Sequence, residues 1–261
     1  MYKKFKWKPR TIIAGIVGVS FVASIIFVLI RLFIAPNAPT SDLPFEKLRS
    51  DYALMLLQCV LGLFMLYLPY LLEKKWKLLF PDFMYILFFI FLYCAIYLGE
   101  VRSFYYTVPN WDTILHAISA AALATLGFNI VSLFNDAQKI KMTMSPFFVA
   151  FFAFCFAVCA GSLWEIYEFT FDGILGFNMQ KYATLTGTDL IGRAALMDTM
   201  KDIIVDSASA LVISILGYCQ LKVITFRGRK IKLPNMEAAR IIDDAETAST
   251  KDYQSAQEAT K

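Results

Sequence analysis

Six continuous apolar blocks, each roughly 20 residues long, constrain this chain more than any other feature. They run from about Thr11 to Ile30, Tyr52 to Leu72, Phe83 to Leu98, Asp112 to Phe134, Pro146 to Phe171 and Asp198 to Cys219. At about 1.5 Å of rise per residue, a helix of that length crosses the hydrocarbon core of a bilayer. Inside that core only helices and closed barrels satisfy every backbone N–H and C=O. Barrel strands alternate apolar and polar residues, and these blocks do not. The expected fold is therefore all-α, a polytopic membrane bundle of six transmembrane helices. Composition agrees: 58% of the residues are hydrophobic and 18% charged, with a mean hydropathy of +0.57. An ordinary soluble domain carries about a quarter charged residues.

Orientation follows from the basic residues. With both termini in the cytoplasm, 18 of the 25 Lys and Arg fall in cytoplasmic segments. Six fall outside: Arg31, Lys47, Arg49, Arg102, Lys181 and Arg193; Lys201 lies within the sixth block. This bias is the positive-inside pattern. Trp7 and Trp76 then sit at the inner interface, and Tyr105, Tyr106 and Trp111 at the outer one. The net charge of +4 is small and unevenly spread, so it speaks for membrane orientation and against nucleic-acid binding.

Residues 1–10 form a basic cytoplasmic start, 11–222 the transmembrane domain and 223–261 a polar cytoplasmic tail. A basic start before an apolar run also suits a signal peptide. Here the run exceeds a typical h-region and Ala35–Pro39 offers no A-x-A site, so an uncleaved helix is expected. Arg227–Lys232 is a basic patch suited to anionic lipid and to anchoring topology, and a short helix is expected in the tail. The five cysteines, Cys59, Cys94, Cys155, Cys159 and Cys219, all lie in apolar blocks and imply no disulfide framework. Nothing in the sequence fixes an oligomeric state; the expected partners are membrane lipids.

Ionisable residues in membrane spans are costly and usually face a protein interior or a wet cavity. Here they cluster. Asp112 and His116 open the fourth block, Glu165 and Glu168 lie near the end of the fifth, and Asp198, Asp202 and Asp206 open the sixth. The fourth and sixth blocks run inward and the fifth runs outward, so all three groups fall in the outer half of the bilayer. Relative to their helix ends, His116 lies roughly 6 Å deep, Glu165 roughly 9 Å and Asp206 roughly 12 Å. Residues three or four apart share a helix face, so each pair and the acidic stripe, continued by Ser209, can face a common centre. Ala117, Ala120, Ala121, Ala124, Gly161, Ala210 and Ser214 allow the helices to approach closely. Asp112 and Asp198 also suit helix N-terminal caps, and Asp172 and Glu100 are expected at the interface.

Six carboxylates then face at most three cations: His116, Lys201 and Arg193. Crowded carboxylates cannot all ionise in a low-dielectric site, so either protons or a bound cation must compensate. Carboxylate oxygens with one imidazole suit a divalent ion such as Mg²⁺, Mn²⁺, Ca²⁺ or Zn²⁺. The expected ligands are Asp112, His116, Asp202 and Asp206. Glu165 and Glu168 are the expected catalytic acids or bases, and Asp198, Lys201 and Arg193 their neighbours, with Arg193 placed to hold an anionic group. Cys155 and Cys159 share a face but lack a histidine or third thiol to complete a metal site.

Three runs carry a resemblance: Asn110-Trp-Asp-Thr-Ile-Leu-His116, Trp164-Glu-Ile-Tyr-Glu-Phe169 and Asp198-Thr-Met-Lys-Asp202. In this order they resemble the YjdF-like family of bacterial inner-membrane proteins, over about residues 52–222. That resemblance implies a bacterial cytoplasmic-membrane location, a fold and a site position, with no activity attached. More distantly, Asp112, His116, Glu165, Arg193, Asp198 and Asp202 are similar to the pattern of VanZ-like proteins, linked to glycopeptide resistance. There Asn often stands where this chain has Asp202, and Gln where it has Glu168.

Three functional classes accommodate such a site. One is an enzyme acting on a lipid-linked or outer-leaflet substrate, with the connection Gly173–Ala195 as a lid or a plain connector. Another is an ion- or proton-coupled transporter, although the acids stop in the outer half. The third is a non-catalytic module binding lipid or a partner.

Overall fold

The computed structural model describes residues 8–37, 47–76, 80–137, 144–184 and 188–226. The basic residues before Lys8, Trp7, the patch Arg227–Lys232 and the tail lie outside the described residues. Among the described residues seven α-helices follow in order: α1 Pro9–Ile34, α2 Arg49–Trp76, α3 Asp82–Leu92, the one-turn α4 Phe104–Thr107, α5 Trp111–Ala137, α6 Pro146–Leu175 and α7 Met197–Phe226. A π-helical segment, Tyr93–Val101, continues α3 without a break. Among the described residues six spans are long and apolar enough to cross a membrane, with α3 and the π-helical segment counting as one. The chain is a multi-pass, all-helical membrane protein.

Two trios of helices divide the bundle. The first three spans pack together, and α5, α6 and α7 pack against one another in all three pairs. Val17 and Phe21 of α1 meet Tyr85, Phe89 and Leu92 of α3 to form the core of the first trio. Small residues dominate the second, where Ala124, Ala157 and Ala210 are fully buried against each other. In lipid, helices gain by close backbone approach more than by apolar burial, and small residues permit it. Gly127 is the clearest case: a Cβ there would stand 2.8 Å from the Ala153 Cα. Large apolar side chains such as Phe33, Phe64, Phe147, Phe169 and Leu216 point outward, as a lipid-facing surface requires.

Local chemistry sets the helix ends. Pro9 opens α1 at a position where its missing N–H costs nothing. Ser145 caps α6 by accepting from the Phe148 N–H, and Gly176 closes it in the left-handed region at φ +68°, donating to Asp172 O. The third span departs from the expected plain helix at Tyr93, where the π-helical register begins. Trp111 Nε1 donates to the Cys94 carbonyl there, 3.3 Å away, tying this segment to the start of α5. Span α7 continues past Cys219 to Phe226.

Candidate metal centre

The second trio places the ionisable residues. Asp112 and His116 lie one turn apart on α5, Glu165 on α6, and Asp198, Asp202 and Asp206 on successive turns of α7. His116 is the one histidine of the chain and is 8% exposed; Glu165, Asp202 and Asp206 are still more deeply buried.

Both imidazole nitrogens face carboxylates. Nδ1 stands 3.2 Å from Asp206 Oδ1, a hydrogen-bond distance. Nε2 faces three others: Asp112 Oδ1 at 3.8 Å, Asp202 Oδ2 at 3.8 Å and Glu165 Oε1 at 4.0 Å. These separations exceed a hydrogen bond. Four atoms each roughly 2.1–2.4 Å from one ion stand roughly 3.4–3.9 Å apart in a tetrahedral arrangement. The ligand atoms of Asp112, His116 and Asp202 lie within 4.8 Å of one another, close enough for these three residues to hold a divalent cation. Glu165 Oε1 adds an independent sign, because it is buried and has no hydrogen-bond partner. A buried carboxylate oxygen left unpaired is costly, and a cation in front of it removes that cost.

Asp206, expected among the metal ligands, stands apart from the three oxygens around Nε2. One further turn along α7 brings it to the opposite side of the ring. A carboxylate on Nδ1 fixes the tautomer that leaves Nε2 free to ligate. Gly161 makes the position possible, since a Cβ there would overlap Asp206 Oδ2. Ser209 continues the stripe and donates to Ala117 O at 2.6 Å, locking α7 to α5.

Asp198 stands apart from the imidazole and pairs with Lys181. The Lys181 ammonium lies 2.8 Å from Asp198 Oδ1 and also bonds Asp112 Oδ2. Burial pulls this lysine down, but Asp112 and Asp198 outweigh burial and hold it above the ordinary lysine range. Lys201 and Arg193, expected as the nearby cations, are exposed and make no ion pair with the cluster among the described residues. Glu168 is half-buried at the edge of the site, accepting from Trp164 Nε1 at 2.9 Å on its own helix. Cys155 and Cys159 are exposed and belong to no such cluster among the described residues.

Lys181 was missed in the sequence because its role depends on the connection after α6. Asp172, expected at the interface, is buried and accepts from the N–H groups of Met179 and Gln180 at 2.8 and 3.0 Å. Asn178 exchanges two hydrogen bonds with the backbone of Ala183. The strap thus folds back over the helix ends. Gln180 reaches Glu165 Oε2 at 3.4 Å, and Lys181, at φ +49°, turns its side chain into the acids. A tight pair of backbone bonds, Leu190 N–H to Tyr182 O and Thr184 N–H to Thr188 O, completes the turn. The one advance signal was a lysine on the side where the basic-residue bias disfavours one.

A second polar group lies beside α5, on the π-helical segment. Gln58 donates to Glu100 Oε1 at 3.1 Å, and Lys47 to Glu100 O at 2.8 Å. Tyr105 packs over Gly99. Its phenol is pushed up by burial and then by the charges of Glu100, Asp112, Glu168 and Asp202.

No curated protein and no solved structure matches the chain. A family model described as a predicted membrane protein (DUF2238) matches residues 17–223. The match takes in α5, α6, the strap and α7 as far as Val223. With most of its length inside that match, the chain belongs to the DUF2238 family of predicted membrane proteins.

Proposed function

We propose that this protein is a divalent-metal-dependent enzyme of the bacterial cytoplasmic membrane, acting at the outer leaflet on a lipid-linked or headgroup substrate. The observation that carries the reading is the set of three carboxylate oxygens 3.8–4.0 Å around His116 Nε2, backed by Asp206 on Nδ1. Asp112, His116 and Asp202 would hold the ion, whether Mg²⁺, Mn²⁺, Ca²⁺ or Zn²⁺. Such an ion supplies Lewis acidity, polarising a phosphoryl or carbonyl oxygen and easing loss of a proton from an attacking water or hydroxyl.

The remaining roles fall to the chain's own groups. Glu165 completes the oxygen set or takes a proton from the attacking group, its second oxygen held by Gln180. Glu168, at the edge, is placed to exchange protons with the substrate side. Arg193, exposed on the connection, suits a lipid phosphate. Orientation with both termini inside, from the basic-residue bias, places the centre toward the external face. The motif resemblance to YjdF-like proteins agrees with this site position and brings no activity with it.

A transport reading draws less support. A through-path needs polar groups at every depth. Beyond Asp206 the three helices bury no further charged residue among those described. Asn129 is engaged with Thr125 O and Met84 Sδ.

The test is turnover. Protein reconstituted with bacterial polar lipids and each of the four ions should convert a lipid or lipid-linked substrate, read by mass spectrometry, and a chelator or Asp202→Asn should abolish the conversion. An ion-binding protein that leaves every lipid unaltered reduces the reading to a non-catalytic site.

A further inference from the structure

Lys181 is set in a position built for a cation. Three oxygens surround its ammonium: Asp112 Oδ2, Asp198 Oδ1 at 2.8 Å and Asp198 Oδ2 at 3.1 Å. Asp112 is shared, because its other oxygen, Oδ1, faces His116 Nε2. A carboxylate bridging two adjacent cation positions is the arrangement by which two-metal sites are assembled. Here one position faces an imidazole and the other is filled by a lysine.

The backbone shows that this placement is enforced. Lys181 sits at φ +49°, a left-handed conformation disfavoured for a residue other than glycine. It is held there by the N–H groups of Met179 and Gln180 donating to Asp172 and by Asn178 donating to Ala183 O.

We infer that Lys181 is a tethered ammonium occupying a second cation position, formed by Asp112 and Asp198, and that it limits the centre to one divalent ion. This inference rests on the metal reading above and specifies the stoichiometry of that same site. One fixed positive charge replaces a second ion. It leaves Asp112 a ligand on one oxygen only, and it offers the substrate side an N–H donor in place of an exchangeable metal.

The experiment counts ions. Full-length protein in detergent is loaded with Mn²⁺, desalted and analysed for manganese per chain. Wild type should retain one Mn²⁺ and Lys181→Met two, with Lys181→Met/Asp198→Asn returning to one. Lys181→Arg, which keeps the charge, should retain one. Asp198→Asn alone should also retain one, since it disturbs the lysine position only. It keeps the test open should Lys181→Met fail to fold. One ion in wild type, lost in His116→Ala, together with one ion in Lys181→Met, overturns the second position and leaves the first standing. Loss of the ion in Asp198→Asn overturns it as well, by placing Asp198 in the first position. No retained ion in wild type overturns the metal reading itself.

Discussion

Replacing Glu165 by glutamine isolates the charge of one buried oxygen set. The side chain is 4% exposed, Oε1 faces His116 Nε2 at 4.0 Å without a hydrogen-bond partner, and Oε2 accepts from Gln180. The amide keeps the shape and removes one negative charge. If a cation occupies the centre, the variant loses a charged carboxylate facing it. Removing an outer partner of a metal ligand costs 10–100-fold in affinity, and at the upper end, about 100-fold, the loss is about 2.7 kcal/mol. At an ion concentration of about 100 times the wild-type Kd, linkage stabilises wild type by about 2.7 kcal/mol. At the same concentration the variant sits near its own Kd and gains about 0.4 kcal/mol. For a chain of this size these correspond to about 5–11 °C and about 1–2 °C of Tm. In the ion-free state the variant should melt no lower than wild type, because fewer carboxylates repel one another. The assay is thermal unfolding in detergent with chelator and with each divalent ion. An ion-dependent shift of equal size in wild type and Glu165→Gln would refute the reasoning, and so would the absence of a shift in wild type with all four ions.

Asp206→Ala should lower divalent-ion affinity 10–100-fold through the freed imidazole, measured by competition with a metal indicator, while leaving the number of ions unchanged. Gly161→Ala should destabilise the protein by about 1–3 kcal/mol, because its Cβ meets Asp206; Gly173→Ala, with open space around its Cβ, should not. Single-cysteine labelling in a cysteine-free background should mark Ser103→Cys and Thr186→Cys from outside but spare Gln138→Cys, with strong external labelling at position 138 reversing the orientation. Positions 138 and 186 lie outside the described residues.

The six spans were readable because a bilayer imposes length and apolarity on any segment that crosses it. The three acidic groups were readable for the converse reason, that charge in lipid needs a partner. Helical spacing went further and paired Asp112 with His116, and Asp202 with Asp206, on common faces. It could not assign each acid its partner. Asp198, Asp202 and Asp206 form one stripe, yet successive turns carry them to Lys181, to Nε2 and to Nδ1. Lys181 itself reaches the centre through the strap, a long-range arrangement set by the buried Asp172, and hydropathy does not register it. The π-helical run after Leu92 escaped for a related reason. Shifting the hydrogen bonds from i+4 to i+5 leaves apolar length unchanged.

His116 being the only histidine makes the central claim directly measurable. Pulsed electron paramagnetic resonance of the Mn²⁺-loaded protein, prepared without a histidine tag, reports any imidazole nitrogen bound to the ion. A cation held by Asp112, His116 and Asp202 should give coupling to one such nitrogen, and His116→Gln should remove it. Bound Mn²⁺ with no imidazole coupling in the wild type would contradict the metal centre.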